Sequence, residues 1–282
     1  MHRRPRHRSS SQGVALIAVL WLVGLLTLLA SACAVVSVSH RRAADRLAQR
    51  VKMDVSADSA IRLAALRIIQ PQQSALGSSL DLEMPAGSAH VTIERERARI
   101  DLNTADEQLI FAVFAANGWD AARAHAMAAR IADWTDVDDE PRQNGAEARD
   151  YAAAGRPYGP RNGPFESVEE LHQVLGSENI SPELFEAFTV YSHERVPTLA
   201  TNEAVANALK YADAQRLGDQ SWPIVAQDTT RTFIGEVLRV RACVENKNAK
   251  SCRLAILRIT GSNGHPLLIY AWRTAGEVTK DY

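Results

Sequence analysis

The chain has 282 residues, with 32 Lys+Arg against 33 Asp+Glu and a formal net charge of -1. Hydrophobic residues make up 46% and charged residues 23%, ordinary globular usage that excludes a disordered chain, a collagen-like repeat and a polytopic membrane protein. The near-neutral balance supplies no general attraction for nucleic acid, and three cysteines are too few for a disulfide scaffold.

Charge and apolarity are unevenly placed. Residues 1–13 read MHRRPRHRSSSQG, with four arginines and no acid, and residues 14–38 follow without a charge. At about 1.5 Å per residue, such a helix spans a hydrocarbon core of about 30 Å. The basic leader favours keeping the N-terminus in the cytoplasm and sending the rest across, in a single pass. Three readings compete: a signal peptide cut near Ala30-Ser31-Ala32, a plain signal anchor, and a leader cut after Gly13 to free Val14. The third rests on resemblance. A basic leader ending in Gly13 against an apolar helix resembles the signal of type IV pilins and type II secretion pseudopilins. Prepilin peptidase cuts such signals and methylates the new N-terminus. Most of these proteins carry a Glu five residues into the mature chain; Ala18 stands there, and this resembles the K-type branch of minor pseudopilins, which usually lacks that Glu.

Residues 40–69 keep a helical pattern without Gly or Pro, and Leu47, Val51, Val55, Ile61, Leu66 and Ile69 form the expected buried stripe. Pro71 ends it, so one helix from Val14 would measure roughly 84 Å. Residues 71–88 read as loop, and His90–Leu102 as a half-exposed strand or hairpin arm. Residues 103–200 are helical and broken by loops. After Pro223 come three β-type runs, separated by ENKNAKS and GSNGH, with Asn263-Gly264 a hairpin signal. Cys243 and Cys252 bracket ENKNAKS near strand ends, so an oxidising periplasm predicts a disulfide across that hairpin, with Cys33 unpaired. The expected class is α+β: a pilin-like long N-terminal helix packed on a small antiparallel sheet, with an inserted all-helical subdomain resembling SAM-like and helix-hairpin-helix folds. The segments are leader 1–13, transmembrane helix 14–38, pilin-like helix and first strands 39–102, helical insert 103–205 and C-terminal strands 206–282.

Within the insert, Asn103 or Thr104 is expected to cap a helix that Asn117-Gly118 breaks, and Asp120 caps the next, to about Trp134. Ser167 and Glu170 have capping-box spacing for a helix ending near Gly176, and another follows Ser181-Pro182. Residues 101–150 carry eleven Asp+Glu and four Arg, the wrong sign for phosphate, and Ala116-Asn117-Gly118-Trp119 replaces the Gly-x-Gly hairpin of a DNA-binding module. The order DLNTA, ADWTDVDDEPRQNGAE and PRNGPFESVEEL is similar to the inserted domain of K-type minor pseudopilins of type II secretion. That resemblance implies a pseudopilus-tip protein that associates with I- and J-type minor pseudopilins and the inner-membrane secretion platform. It would initiate filament assembly and aid export of folded proteins. The alternatives are a minor tip pilin of a type IV or competence pilus and an anchored periplasmic DNA-binding module.

Asp133, Asp136, Asp138, Asp139, Glu140 and Glu147 crowd one loop. Hard oxygen donors without His or Cys point to Ca²⁺ rather than zinc, and the alternative is a simply solvated acidic loop. Asp136, Asp138, Glu140, Asn144 and Glu147 fall at places one, three, five, nine and twelve of an EF-hand-like loop, but Pro141 stands where that loop needs Gly. The K-type resemblance also implies calcium in the insert. No Ser-His-Asp order, phosphate loop or H-E-x-x-H motif marks an enzyme.

Overall fold

The computed structural model describes residues 12–70, 79–198, 200, 202–215, 233–247, 249–262 and 264–275. Most of the leader, Pro71 and the loop after it, Pro223 and Asn263 lie outside the described residues, as do the side chains of Gly13, Val14 and Cys33. Two compact units divide the chain, Met1–Met53 and Asp54–Tyr282. Helix α1, Gln12–Ile69, runs through both. Among the described residues no helix is long and apolar enough to cross a membrane; the described side chains of the apolar run are those of residues 16–31, where Leu16, Leu20, Trp21 and Leu28 are exposed.

The expected stripe on α1 is the wrong one. Leu47, Val51, Val55 and Leu66 are exposed and Ile69 is half-buried; of the six only Ile61 is buried. In the second unit the buried face is Ala57, Ala60, Ile61, Ala64, Ala65 and Ile68. The period is helical, but the face is built of small residues, which let the helix backbone approach its neighbour and leave the bulk outside.

That neighbour is a five-stranded antiparallel sheet in the order β1-β2-β5-β6-β7. Its strands are β1 (Ser79–Met84), β2 (Gly87–Arg95), β5 (Val237–Asn246), β6 (Ala249–Ile259) and β7 (Leu267–Thr274). Strand β1 falls in the stretch expected to be loop, because its short Leu80-Leu82-Met84 alternation is hidden among flanking turn residues. The register separates two faces. Val91, Val240 and Ala242 share one with Ser251 and Arg253 of β6. Here α1 docks: Arg253 Nε and Trp272 Nε1 donate to Asp58 Oδ1 at 2.8 and 2.7 Å, and Arg62 stacks over Trp272. The opposite face carries Arg239, Arg241 and Cys243. Cys243 pairs with Cys252 across β5 and β6, and the two are disulfide-bonded.

A helical block interrupts the sheet between β2 and β5. After a 3₁₀ turn at Glu96–Ala98, β3 (Ile100–Asp101) pairs in parallel with β4 (Phe188–Thr189), so the ends of the block meet. Between them lie α2 (Glu107–Ala116), α3 (Ala121–Thr135), α4 (Ala148–Ala153) and α5 (Pro182–Phe185). Helix α6 (Glu203–Gln215) packs back on α2, and Phe114, Met127, Ile131, Tyr151, Leu171 and Leu209 are among the shared core. Asp106, not Asn103 or Thr104, caps α2 by accepting from the Leu109 N–H. Asp120 caps α3 as expected. Ser167 makes no side-chain cap, and the segment Val168–Gln173 is a 3₁₀ helix.

Arg239 joins block to sheet. Its Nε donates to Glu96 Oε1 at 2.7 Å and its Nη1 to Glu186 Oε2 at 2.5 Å, while Arg241 donates to Glu186 Oε1 at 2.8 Å. Burial alone would raise the Glu96 carboxyl, but Arg239 and Arg99 hold it below the usual range. Removing one member strands a buried charge, so Arg239→Ala should lower unfolding free energy by about 3–5 kcal/mol in denaturant titrations.

Candidate functional site

The acidic loop leaves the C-terminus of α3 at Asp136 and re-enters helix at α4, whose N-cap is Glu147. Its shape is set by Asp133, a fully buried carboxylate on the last turn of α3. Asp133 Oδ2 accepts from the Ala146 N–H at 2.8 Å and the Arg142 N–H at 3.2 Å, and Oδ1 accepts from Arg142 Nη1 at 2.8 Å. Gly145 must be glycine for this to close: a Cβ there would stand 1.9 Å from Asp133 Oδ2.

Trp134, Tyr151 and Phe165 pack beneath, with ring centroids about 6 Å apart. Asn103 bonds the Phe165 backbone both ways, Nδ2 to its carbonyl at 3.0 Å and Oδ1 from its N–H at 2.7 Å. That contact ties the DLNTA segment to PFESVEEL. Two histidines of the block are stacked, His125 on Phe111 and His172 on Phe185.

Of the five candidate ligands, three converge. Carboxylate oxygens of Asp136, Asp138 and Glu147 lie within 4.8 Å of one another. Glu140 is exposed and outside this group, its N–H turned to Asp138 Oδ1 at 2.9 Å. Asn144 is exposed with φ +67°, its backbone serving the turn. Glu147 is 3% exposed, and neither of its carboxylate oxygens has a hydrogen-bond partner; nor does Oδ1 of Asp136. Burial, then repulsion from Asp133, Asp136, Asp139 and Asp138, pushes the Glu147 carboxyl up to about 7. Two oxygens bound to one Ca²⁺ at about 2.3–2.6 Å can stand no more than about 5 Å apart. The trio meets that limit, its oxygens are hard donors, and its orphaned atoms are what a cation would satisfy.

Three residues escaped the sequence reading. Asp133 was visible only as one more acid, although it is the loop's anchor. Arg142, the single cation between residues 133 and 147, reaches Asp133 and Asp136. Asn162, in left-handed backbone at φ +52°, directs Nδ2 toward the Asp138 carbonyl at 3.5 Å and leaves a buried Oδ1 without a partner. A lone basic residue in an acidic loop is the one signal that was legible.

The fold is α+β and pilin-like, a long N-terminal helix against an antiparallel sheet with helices inserted. Residues 97–193 match the protein family described as "Type II secretion system (T2SS), protein K". The chain also resembles a chain of the crystal structure of the GspK-GspI-GspJ complex from the enterotoxigenic Escherichia coli type 2 secretion system. That likeness has a TM-score of 0.56 at 16% identity and covers 84% of this chain and 100% of the other. No curated protein matches. Residues 97–193 are therefore similar to the protein K family of type II secretion, and the likeness of fold agrees with the resemblance to K-type minor pseudopilins.

Gly145→Ala should cost about 1–3 kcal/mol through forced displacement of Asp133, read by denaturant unfolding. A second outcome concerns pH. Without a cation, the folded chain holds the Glu147 proton up to about 7, whereas an unfolded carboxyl releases it near 4.5. Between those values the unfolded state binds fewer protons, so stability falls as pH rises through the window and levels off above it. Melting in chelator across that range should show the fall, and Glu147→Gln should flatten it.

Proposed function

We propose that this chain is a minor pseudopilin at the tip of a type II secretion pseudopilus. With I- and J-type minor pseudopilins it starts filament assembly on the inner-membrane secretion platform and aids export of folded proteins across the outer membrane. The observation that carries this is the protein K match over residues 97–193, lying in a head with the fold of a chain from the GspK-GspI-GspJ complex. Its role is structural rather than enzymatic. Residues 14–38 anchor it as a single inner-membrane helix, with the head in the periplasm, after prepilin peptidase cuts between Gly13 and Val14. Ala18 supports the terminal position: it offers no carboxylate to neutralise the N-terminal amine of a further subunit, and such a charge is costly in a bilayer unpaired.

Calcium belongs to the same reading. Asp136, Asp138 and Glu147 hold the ion, which supplies the positive charge that offsets their repulsion. Glu140 lies outside the trio.

Co-expression of the full chain with candidate I- and J-type partners tests the proposal. A stable ternary complex should co-purify, and intact-mass measurement should show a methylated chain beginning at Val14. A chain that purifies alone and unprocessed, or that retains DNA at physiological salt, would sink it.

A further inference from the structure

Asp136 belongs to two sets at once. Its Oδ2 accepts from Arg142 Nη1, its Oδ1 is buried without a hydrogen-bond partner, and its carboxylate is one of the converging trio. The neighbouring trio member Glu147 is buried with both oxygens orphaned, so the cluster is aimed at something beyond its own side chains. Arg142 meets part of that demand. Its guanidinium lies between Asp133 and Asp136, with Nε 3.9 Å from Glu107 Oε2 on the first turn of α2.

The loop's path does not need this guanidinium. Backbone groups already fix it: the Arg142 and Ala146 N–H groups on Asp133, and the Gly145 N–H on the Arg142 carbonyl at 2.9 Å. What the guanidinium adds is charge. Asp133 grips it independently of Asp136, so it can release Asp136 without leaving the site.

We propose that Arg142 is a built-in counter-cation, which neutralises Asp136 when no metal is present, hands it to a divalent cation when one binds, and thereby sets the affinity of the site. This rests on the calcium reading above. A fixed positive charge beside a ligand opposes the incoming ion, so the loop exchanges affinity for order in the empty state. The ion therefore displaces one contact rather than folding a disordered segment.

The test compares wild type, Arg142→Gln and Arg142→Lys as full chains in detergent, by Ca²⁺ titration calorimetry and by melting in chelator. Arg142→Gln should bind Ca²⁺ roughly three- to tenfold tighter, yet melt lower in chelator. Arg142→Lys keeps the charge and should stay near wild type in both. Binding by Arg142→Gln that equals or falls below wild type would make Arg142 a simple brace and overturn the proposal. A wild type that takes up no Ca²⁺ overturns the calcium reading itself, which the wild-type titration reports alone. Independently of any variant, the Arg142 side-chain NMR signal should shift as Ca²⁺ releases Asp136; an unshifted signal in a calcium-bound chain contradicts the exchange.

Discussion

Arg239 is a guanidinium almost without water, and the head is organised around it. Glu96 lies just before the helical block and Glu186 near its end, so one side chain on β5 grips both ends of the insertion. Short β3 and β4 close the same point by backbone pairing. Asp101, fully buried, then accepts from the N–H groups of Ser192 and His193 at 3.0 and 2.8 Å, tying the outgoing chain to the incoming one. A domain inserted between two strands needs its ends held together, and here buried charge does it. Such a joint is costly to break because each remaining partner would be left ionised in a low-dielectric interior.

The same device recurs at the acidic loop. Asp133 is as buried as Asp101 and again spends its oxygens on backbone N–H groups of a returning segment. Asp138 accepts only the Glu140 N–H within the loop itself, and the Glu147 oxygens have no partner; the contrast separates the scaffold from the site. Where a buried acid is satisfied by amides, it holds shape; where it is orphaned, as Glu147 is, it stores a repulsion that a proton or a cation relieves. Arg142 lies at the border, bonded to an acid of each kind.

Faces of the sheet carry unlike tasks. Alternation places Val91, Val240 and Ala242 toward α1 and Arg239 with Arg241 toward the block. The apolar face accepts a helix lined with alanine, while the charged face receives the insert through ion pairs. Long-range register, rather than local propensity, decides which residues of a strand such as β5 meet which partner.

Much was legible in the residues themselves. The long first helix, the three C-terminal strands, the Asp120 cap and the family likeness of the insert all follow from local pattern, because caps, periods and motifs act within a few residues. The α1 stripe was misread because hydrophobicity scores favour Leu and Val, whereas docking against a sheet selected the small Ala57, Ala60 and Ala64. Strand β1 was hidden by its turn-rich flanks. Of the five candidate ligands, spacing named all three acids that converge, yet it could not discard Glu140 or reveal Asp133, Arg142 and Asn162. Sequence determines which donor types are present and roughly how far apart along the chain. Only the tertiary structure decides which of them lose their water and their partners together, because burial is a property of the packed neighbours and not of the residue.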